Sequence, residues 1–154
     1  MSLGGGASTA LDTAVQNSIA DGVTYAVATG LVAVPGRAQD ACKYSPARVP
    51  AALTIGATDK TDTKTSWSNY GNCVDWFAPG LSITSAWFTS DTATNTISGT
   101  SMATPHTAGV AALYLQGNPG ASPATVRAAL YANLTLGVVK SSKTANNHLL
   151  FTNY

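Results

Sequence analysis

Glutamate is absent from this chain of 154 residues, and charged side chains make up only 10% of it, against about 25% in ordinary soluble domains. Seven aspartates stand against eight lysines and arginines, a formal net charge of +1. So balanced a chain gives no electrostatic case for nucleic acid or an anionic membrane as partner. No apolar run approaches the ~18 residues of a membrane-spanning helix. No basic stretch followed by an apolar one opens the chain, so no secretion signal is read in it. Cysteine is scarce: Cys42 and Cys73 stand 31 positions apart. Four zinc ligands would need both of them plus His106 and His148, at spacings that suit no zinc motif. A bridge and a pair of buried thiols both remain open on this count.

What is present is small and apolar. Hydrophobic residues reach 45%, with Ala, Ser, Thr and Gly dominant, and the length allows one domain with a real core. Residues 2–6 read as a short strand end with a glycine-rich exit. Residues 8–20 read as a helix, with Leu11, Val15 and Ile19 at four-residue spacing on one face. Asp21-Gly22 ends it, and residues 23–29 have strand length and composition. Strand, helix and strand in that order predict a right-handed parallel crossover. Residues 50–58 read as a second buried strand, 83–87 as a shorter one, and 58–68 as a solvated loop. A helix from the Ser101 region to about Gln116 is followed by another opened by Ser122-Pro123, a cap and a first-turn proline, running to about Asn133. Two short strands around a 140–147 turn are expected in the tail. The fold class is therefore α/β: a partial, doubly wound parallel sheet with flanking helices, in a single domain over residues 1–154.

The most specific stretch is Ser98-Gly99-Thr100-Ser101-Met102-Ala103-Thr104-Pro105-His106. It sets a serine at a glycine-lipped turn ahead of an alanine-rich helix. N–H groups at a helix start are unpaired and carry partial positive charge, which suits a developing oxyanion. Gly99 would let a backbone approach, and Pro105 is read as lying in the first turn, where no N–H is needed. A lone Thr-Ser before a helix is usually only a cap. These nine residues together resemble the nucleophile motif of the subtilisin-like serine proteases, with Ser101 as the serine. Ser2-Leu3-Gly4-Gly5, Ala26-Val27-Ala28-Thr29-Gly30, Tyr44-Ser45-Pro46-Ala47, Thr54-Ile55-Gly56-Ala57, Ser68-Asn69-Tyr70-Gly71 and Phe77-Ala78-Pro79-Gly80 resemble further landmarks in the family's order. The nearest branch is the proteinase K-like one, in bacterial secreted forms.

The resemblance implies a serine endopeptidase acting on polypeptides, extracellular, with an acyl-enzyme on Ser101. It implies a peptide-binding edge at Ser2, Leu3, Gly4 and Gly5, with Ala28, Thr29, Gly30 and Thr100 completing the cleft. It implies a Cys42–Cys73 disulfide, which suits an oxidising compartment. No cofactor is expected for the chemistry. A structural Ca²⁺ is implied on the Pro50 and Ala52 carbonyls and the Asp75 carboxylate, hard oxygen donors of the kind that ion takes. Alternatively, Asp75 caps a turn or pairs with a backbone N–H.

Two departures from the family pattern bear on activity. The catalytic Asp and His of the family precede the Ser-Leu-Gly-Gly strand, with which this chain starts, so the chain reads as a C-terminal half that needs its N-terminal half as partner. His106, five positions beyond Ser101, falls about 140° around the helix; His148 lies among asparagines near the end. No histidine precedes Ser101 and no acid follows Asp91, so none of the three known triad orders can be built. The five lysines at 43, 60, 64, 140 and 143 sit in polar surroundings, which disfavours a Ser–Lys dyad. Second, where the family has an Asn whose amide donates to the oxyanion, Leu31 follows Gly30, in a segment 31–39 more apolar than expected. Loss of the base alone removes about 10⁶-fold of turnover, a magnitude known from subtilisin itself. The 154 residues by themselves are thus expected to be inactive. The rival readings are a non-catalytic peptide-binding module and a chain without independent function.

Overall fold

The computed structural model describes residues 1–30 and 38–154. Helix α1 (Thr9–Ala20) starts where Ser8, in extended conformation, accepts a bond from the Leu11 N–H, and it ends at Asp21 before Gly22 at φ 100°. Its buried face carries Val15 and Ile19, one turn apart, packed with Val27, Val49 and Ala52. The strands are β1 (Gly5–Gly6), β2 (Ala26–Ala28), β3 (Tyr44–Ser45), β4 (Leu53–Thr58), β5 (Trp76–Pro79), β6 (Ile83–Ala86) and β7 (Thr94–Ile97). Two further helices follow, α2 (Thr100–Gly117) and α3 (Pro123–Asn133).

The central sheet runs β2-β4-β5, wholly parallel, with Val27 opposite Thr54 and Ile55 opposite Trp76. All six residues of β4 are buried, as a parallel strand covered on both faces requires. Leu53, Ile55, Ala57, Trp76 and Ala78 pack with Ala103, Val110 and Ala111 of α2 and with Val126 and Leu130 of α3. Phe77 points the other way, into Ala41, Ala47, Val74 and Val139. Gly56 has no room for a side chain, since a Cβ there would meet the Phe77 ring at 2.4 Å.

Several expectations need correction. The stretch 50–58 becomes strand only from Leu53, because Val49 and Ala52 donate backward to Pro46 and Val49 in a turn. The first strand does not pair with β2: β1 lies antiparallel to β3, with Gly5 opposite Ser45. Met1 makes the parallel contact instead, donating to the Ala26 carbonyl at 2.6 Å and accepting from the Ala28 N–H at 3.2 Å. The tail keeps only a short antiparallel contact across its expected turn, Thr135 and Leu149 exchanging both backbone bonds at 2.9 Å while Val139 donates to the Asn147 carbonyl. It extends the sheet beyond β5, with Phe77 donating to the His148 carbonyl and Leu150 donating to Phe77. Pro105 lies inside α2 rather than in its first turn. It therefore removes the N–H that would have met the Ser101 carbonyl one turn behind. Strands β5 and β7 were missed as strands, β7 because Thr94–Ile97 is largely exposed and lacks a buried face.

Cys42, in a 3₁₀ turn at Ala41–Lys43, is disulfide-bonded to Cys73, with Cα atoms 5.3 Å apart. No helix of the described residues is long and apolar enough to cross a membrane.

Candidate active site

The loop that presents Ser101 is fixed from below. Gly99 donates to the Gly80 carbonyl at 2.9 Å, just past the end of β5. Gly80 in turn is closely enclosed: a Cβ there would meet Ala57 at 2.5 Å and the Gly99 carbonyl at 2.8 Å. Helix α2 then starts at Thr100 with no side-chain cap. Thr100 and Ser101 are its first two residues, whose N–H groups have no carbonyl one turn behind them. Further along, Trp76 Nε1 donates to Thr107 Oγ1 at 3.1 Å, which pins the helix to β5.

A cleft of about 420 Å³ opens beside this helix start, lined by Leu3, Gly4, Gly5, Gly6, Ala28, Gly30, Tyr44, Thr100 and Ser101. Leu3, Gly4, Gly5, Ala28, Gly30, Thr100 and Ser101 of the sequence-predicted set are thus together. Ser2 enters through its carbonyl, which accepts from Ser101 Oγ at 2.9 Å. The Thr29 side chain is buried beneath the cleft, bonded to the Gly30 carbonyl. Gly6 and Tyr44 line the cleft without having been singled out for it. A second cavity, lined in part by Ile83, Trp87, Ile97, Met102, Pro105 and His106, flanks the other side of the α2 start.

Asn69 is the residue whose role the sequence did not disclose. Buried at 1% exposure, it donates from Nδ2 to the Thr29 carbonyl at 3.0 Å and accepts at Oδ1 from the Gln39 N–H at 2.8 Å. Its own N–H donates to the Gly30 carbonyl at 3.2 Å. Gly30 stands at φ 83°, where a Cβ would press on this amide at 3.2 Å. Asn69 thus ties the cleft strand end at Thr29 and Gly30 to Gln39. The Ser68-Asn69-Tyr70-Gly71 motif marked the place; only the tertiary bonds reveal the work. Leu31, where an oxyanion donor was sought, lies outside the described residues.

Neither histidine serves Ser101. His106 Nδ1 sits 2.8 Å from the Met102 carbonyl, and a carbonyl only accepts, so Nδ1 carries a proton there. His148 Nδ1 accepts from the Gly137 N–H at 3.2 Å, leaving Nε2 to donate to the Tyr131 hydroxyl at 3.1 Å. Lys64 Nζ is committed to the Thr65 and Ser68 carbonyls at 2.8 and 2.9 Å. Among the described residues, the only partner of the Ser101 hydroxyl is a backbone carbonyl.

The three oxygens predicted for Ca²⁺ also converge, but on a side chain. Arg127 of α3 donates from Nη1 to the Pro50 carbonyl at 2.9 Å and to the Ala52 carbonyl at 3.2 Å, and from Nη2 to Asp75 Oδ1. Asp75 Oδ2 accepts from the Thr54 N–H at 2.7 Å. Burial pushes the Asp75 carboxyl above its ordinary range, more than Arg127 and the Thr54 N–H pull it down.

A parallel sheet layered between helices, with a serine at a helix start beside a glycine-edged cleft, places the chain among the layered α/β folds. The chain belongs to the subtilase family, whose model matches residues 1–151. It is 62% identical, over 99% of its length, to an extracellular serine proteinase of Thermus sp. (strain Rt41A), of which it spans 36%. It is 51% identical over 99% of its length to alkaline serine exoprotease A of Vibrio alginolyticus, of which it spans 27%. A solved cold-adapted subtilisin-like serine proteinase is similar at 49% identity and TM-score 0.93, covering 100% of this chain and 54% of that one. The chain therefore spans about a third of the length of these curated relatives and about half of the solved structure.

Proposed function

We propose that this chain is the nucleophile- and cleft-bearing portion of a secreted subtilisin-like serine endopeptidase, and that it turns over only when an Asp- and His-bearing segment is joined to it. The observation that carries this is the Ser101 hydroxyl. It stands at an uncapped helix start, in a cleft edged by Leu3–Gly5 backbone, with a carbonyl where a base would be needed.

In the working enzyme an extended peptide adds to residues 3–5 as a strand. Ser101 Oγ attacks the scissile carbonyl carbon, giving its proton to the imidazole of the joined segment. The oxyanion is received by the Ser101 N–H at the positive end of α2. Collapse expels the amine, which takes the proton from that imidazole, and water then releases the acyl group by the same route.

A second feature supports a partner segment. Helix α2 carries no charged residue over 18 positions, and its outward side presents Pro105, Ala108, Gly109, Ala112 and Leu113 to solvent. A helix that is apolar all round is ordinarily covered.

A fluorophosphonate probe tests the proposal. The chain alone should stay unlabelled, whereas mixing with the preceding segment of a close relative should give labelling that Ser101→Ala abolishes. Labelling of the chain alone, also abolished by Ser101→Ala, would refute the need for an outside base. Measurable peptide affinity with no labelling in either case would favour a binding module.

A further inference from the structure

We propose that Arg127 is a built-in counter-cation that takes the place of a divalent ion at the Pro50–Ala52–Asp75 site, so that the stability of this chain does not depend on Ca²⁺. The donor set is one that a hard cation would accept: two main-chain carbonyls from a turn and a carboxylate. In this structure each of those oxygens already accepts from the arginine. One guanidinium nitrogen spans both carbonyls and another meets Asp75 Oδ1. The remaining carboxylate oxygen is held by the Thr54 N–H. A metal would have to share all three of these oxygens with the guanidinium or displace it.

Charge argues the same way. The cavity here measures about 170 Å³ and is lined by Asp75, Arg127 and Arg48, among others. Asp75 is its single carboxylate, and Arg127 neutralises it. The other arginine, Arg48, is paired outward with Asp12. A divalent ion entering beside Arg127 would meet a second cation within a few ångströms and one anion for both. The planar fork of a guanidinium can satisfy several oxygens from one side chain, which a lysine ammonium could not do in the same geometry. The bond set also has a structural consequence. Arg127 sits on α3, while its partners lie in the turn before β4 and just ahead of β5. The arginine thus ties α3 to the sheet where a metal would have tied only the turn and Asp75.

Thermal melts and terbium luminescence test this on the 154-residue chain. Tm in excess EDTA and in excess Ca²⁺ should coincide, and added Tb³⁺ should show no emission sensitised by Trp76, the neighbour of Asp75. Arg127→Ala should lower Tm in EDTA by roughly 5–10 °C. Because it frees the three oxygens, it should also create a Ca²⁺-dependent recovery of Tm and a saturable terbium signal that Asp75→Asn removes. Arg127→Met keeps the apolar stem and should behave alike, which guards against a packing defect in the alanine variant. A wild-type Tm that rises with Ca²⁺ and loses the rise in Asp75→Asn would overturn the proposal. So would Arg127 variants that melt cooperatively yet gain no Ca²⁺ or Tb³⁺ response. If neither variant folds, the wild-type comparison decides alone.

Discussion

The Ser101 cleft and the Arg127 cluster are opposite answers to the same problem, a polar group held at the junction of helix and sheet. At the cluster every oxygen has a donor and the donors come from one side chain of the same chain. At the cleft the hydroxyl has one backbone partner, the helix start has no side-chain cap, and the outward face of α2 is apolar and bare. A satisfied network rigidifies and asks for nothing more. An unsatisfied one beside a cavity marks where another molecule or segment belongs. The contrast sets a closed bond network at Arg127 against an open one at Ser101.

The sharpest way to break the contrast is to complete the cleft. With an Asp- and His-bearing segment supplied, Ser101→Ala should reduce peptide hydrolysis by about 10⁶-fold, the scale known from subtilisin, while Arg127→Ala should leave the chemical step largely intact at a temperature below its lowered melt. Equal losses in the two variants would mean that the cleft and the cluster are not separable.

Next in size is the disulfide. Cys42–Cys73 closes a loop of 31 residues, and Cys42→Ser with Cys73→Ser should destabilise by about 3–4 kcal/mol on the loop-entropy estimate. Chemical denaturation under oxidising and reducing conditions measures it. An unchanged midpoint would show that the loop is already ordered in the unfolded chain.

Much of this was legible in the residues, for identifiable reasons. Leu11, Val15 and Ile19 at four-residue spacing marked α1, and Ser122-Pro123, cap and first-turn proline, marked the start of α3. Thr54-Ile55-Gly56-Ala57 is continuously apolar or small because both sheet faces cover it. The nine-residue motif placed Ser101 at a helix start. What was not legible depends on contacts distant in sequence. Arg127 reads as an ordinary surface arginine until α3 folds over the turn 77 positions away. Two short strands around the 140–147 turn were expected, and Leu149 does pair with Thr135, but it also bridges Phe77, a contact that no local pattern shows. Pro105 read as a first-turn residue because the motif hides where the helix begins. Asn69 is a landmark in a string and a brace only in space.

That brace gives a medium-sized test on the cleft side. Asn69→Ala strands the Thr29 carbonyl and the Gln39 N–H, and orphaning buried groups costs about 1–3 kcal/mol. In the completed enzyme it should also slow probe labelling of Ser101 more than it lowers stability would explain, because the cleft strand end loses its support. Asn69→Asp, which keeps the acceptor for Gln39 but not the donor for Thr29, should retain part of the stability. Normal labelling in Asn69→Ala would confine the residue to a packing role.

The smallest effect tests whether the self-sufficient side is fully relaxed. Lys64 is 7% exposed, and its pKa falls from 10.5 to about 8, first through burial and second through the neighbouring Lys143 ammonium. The unfolded chain keeps this proton to about pH 10.4. Below pH 8 both states are protonated and the penalty of burying the charge is fully present, with no slope from this residue. Between about pH 8 and 10.5 the unfolded state binds more protons than the folded one, so unfolding free energy rises with pH, by roughly 1–2 kcal/mol after allowance for solvent relaxation. Lys64→Met should flatten that rise, whatever its effect on absolute stability from losing the bonds to the Thr65 and Ser68 carbonyls. Denaturant midpoints taken from pH 7 to 10 read the slope directly. An identical slope in Lys64→Met would assign the pH dependence to another group and show that the two carbonyls fully compensate the buried ammonium.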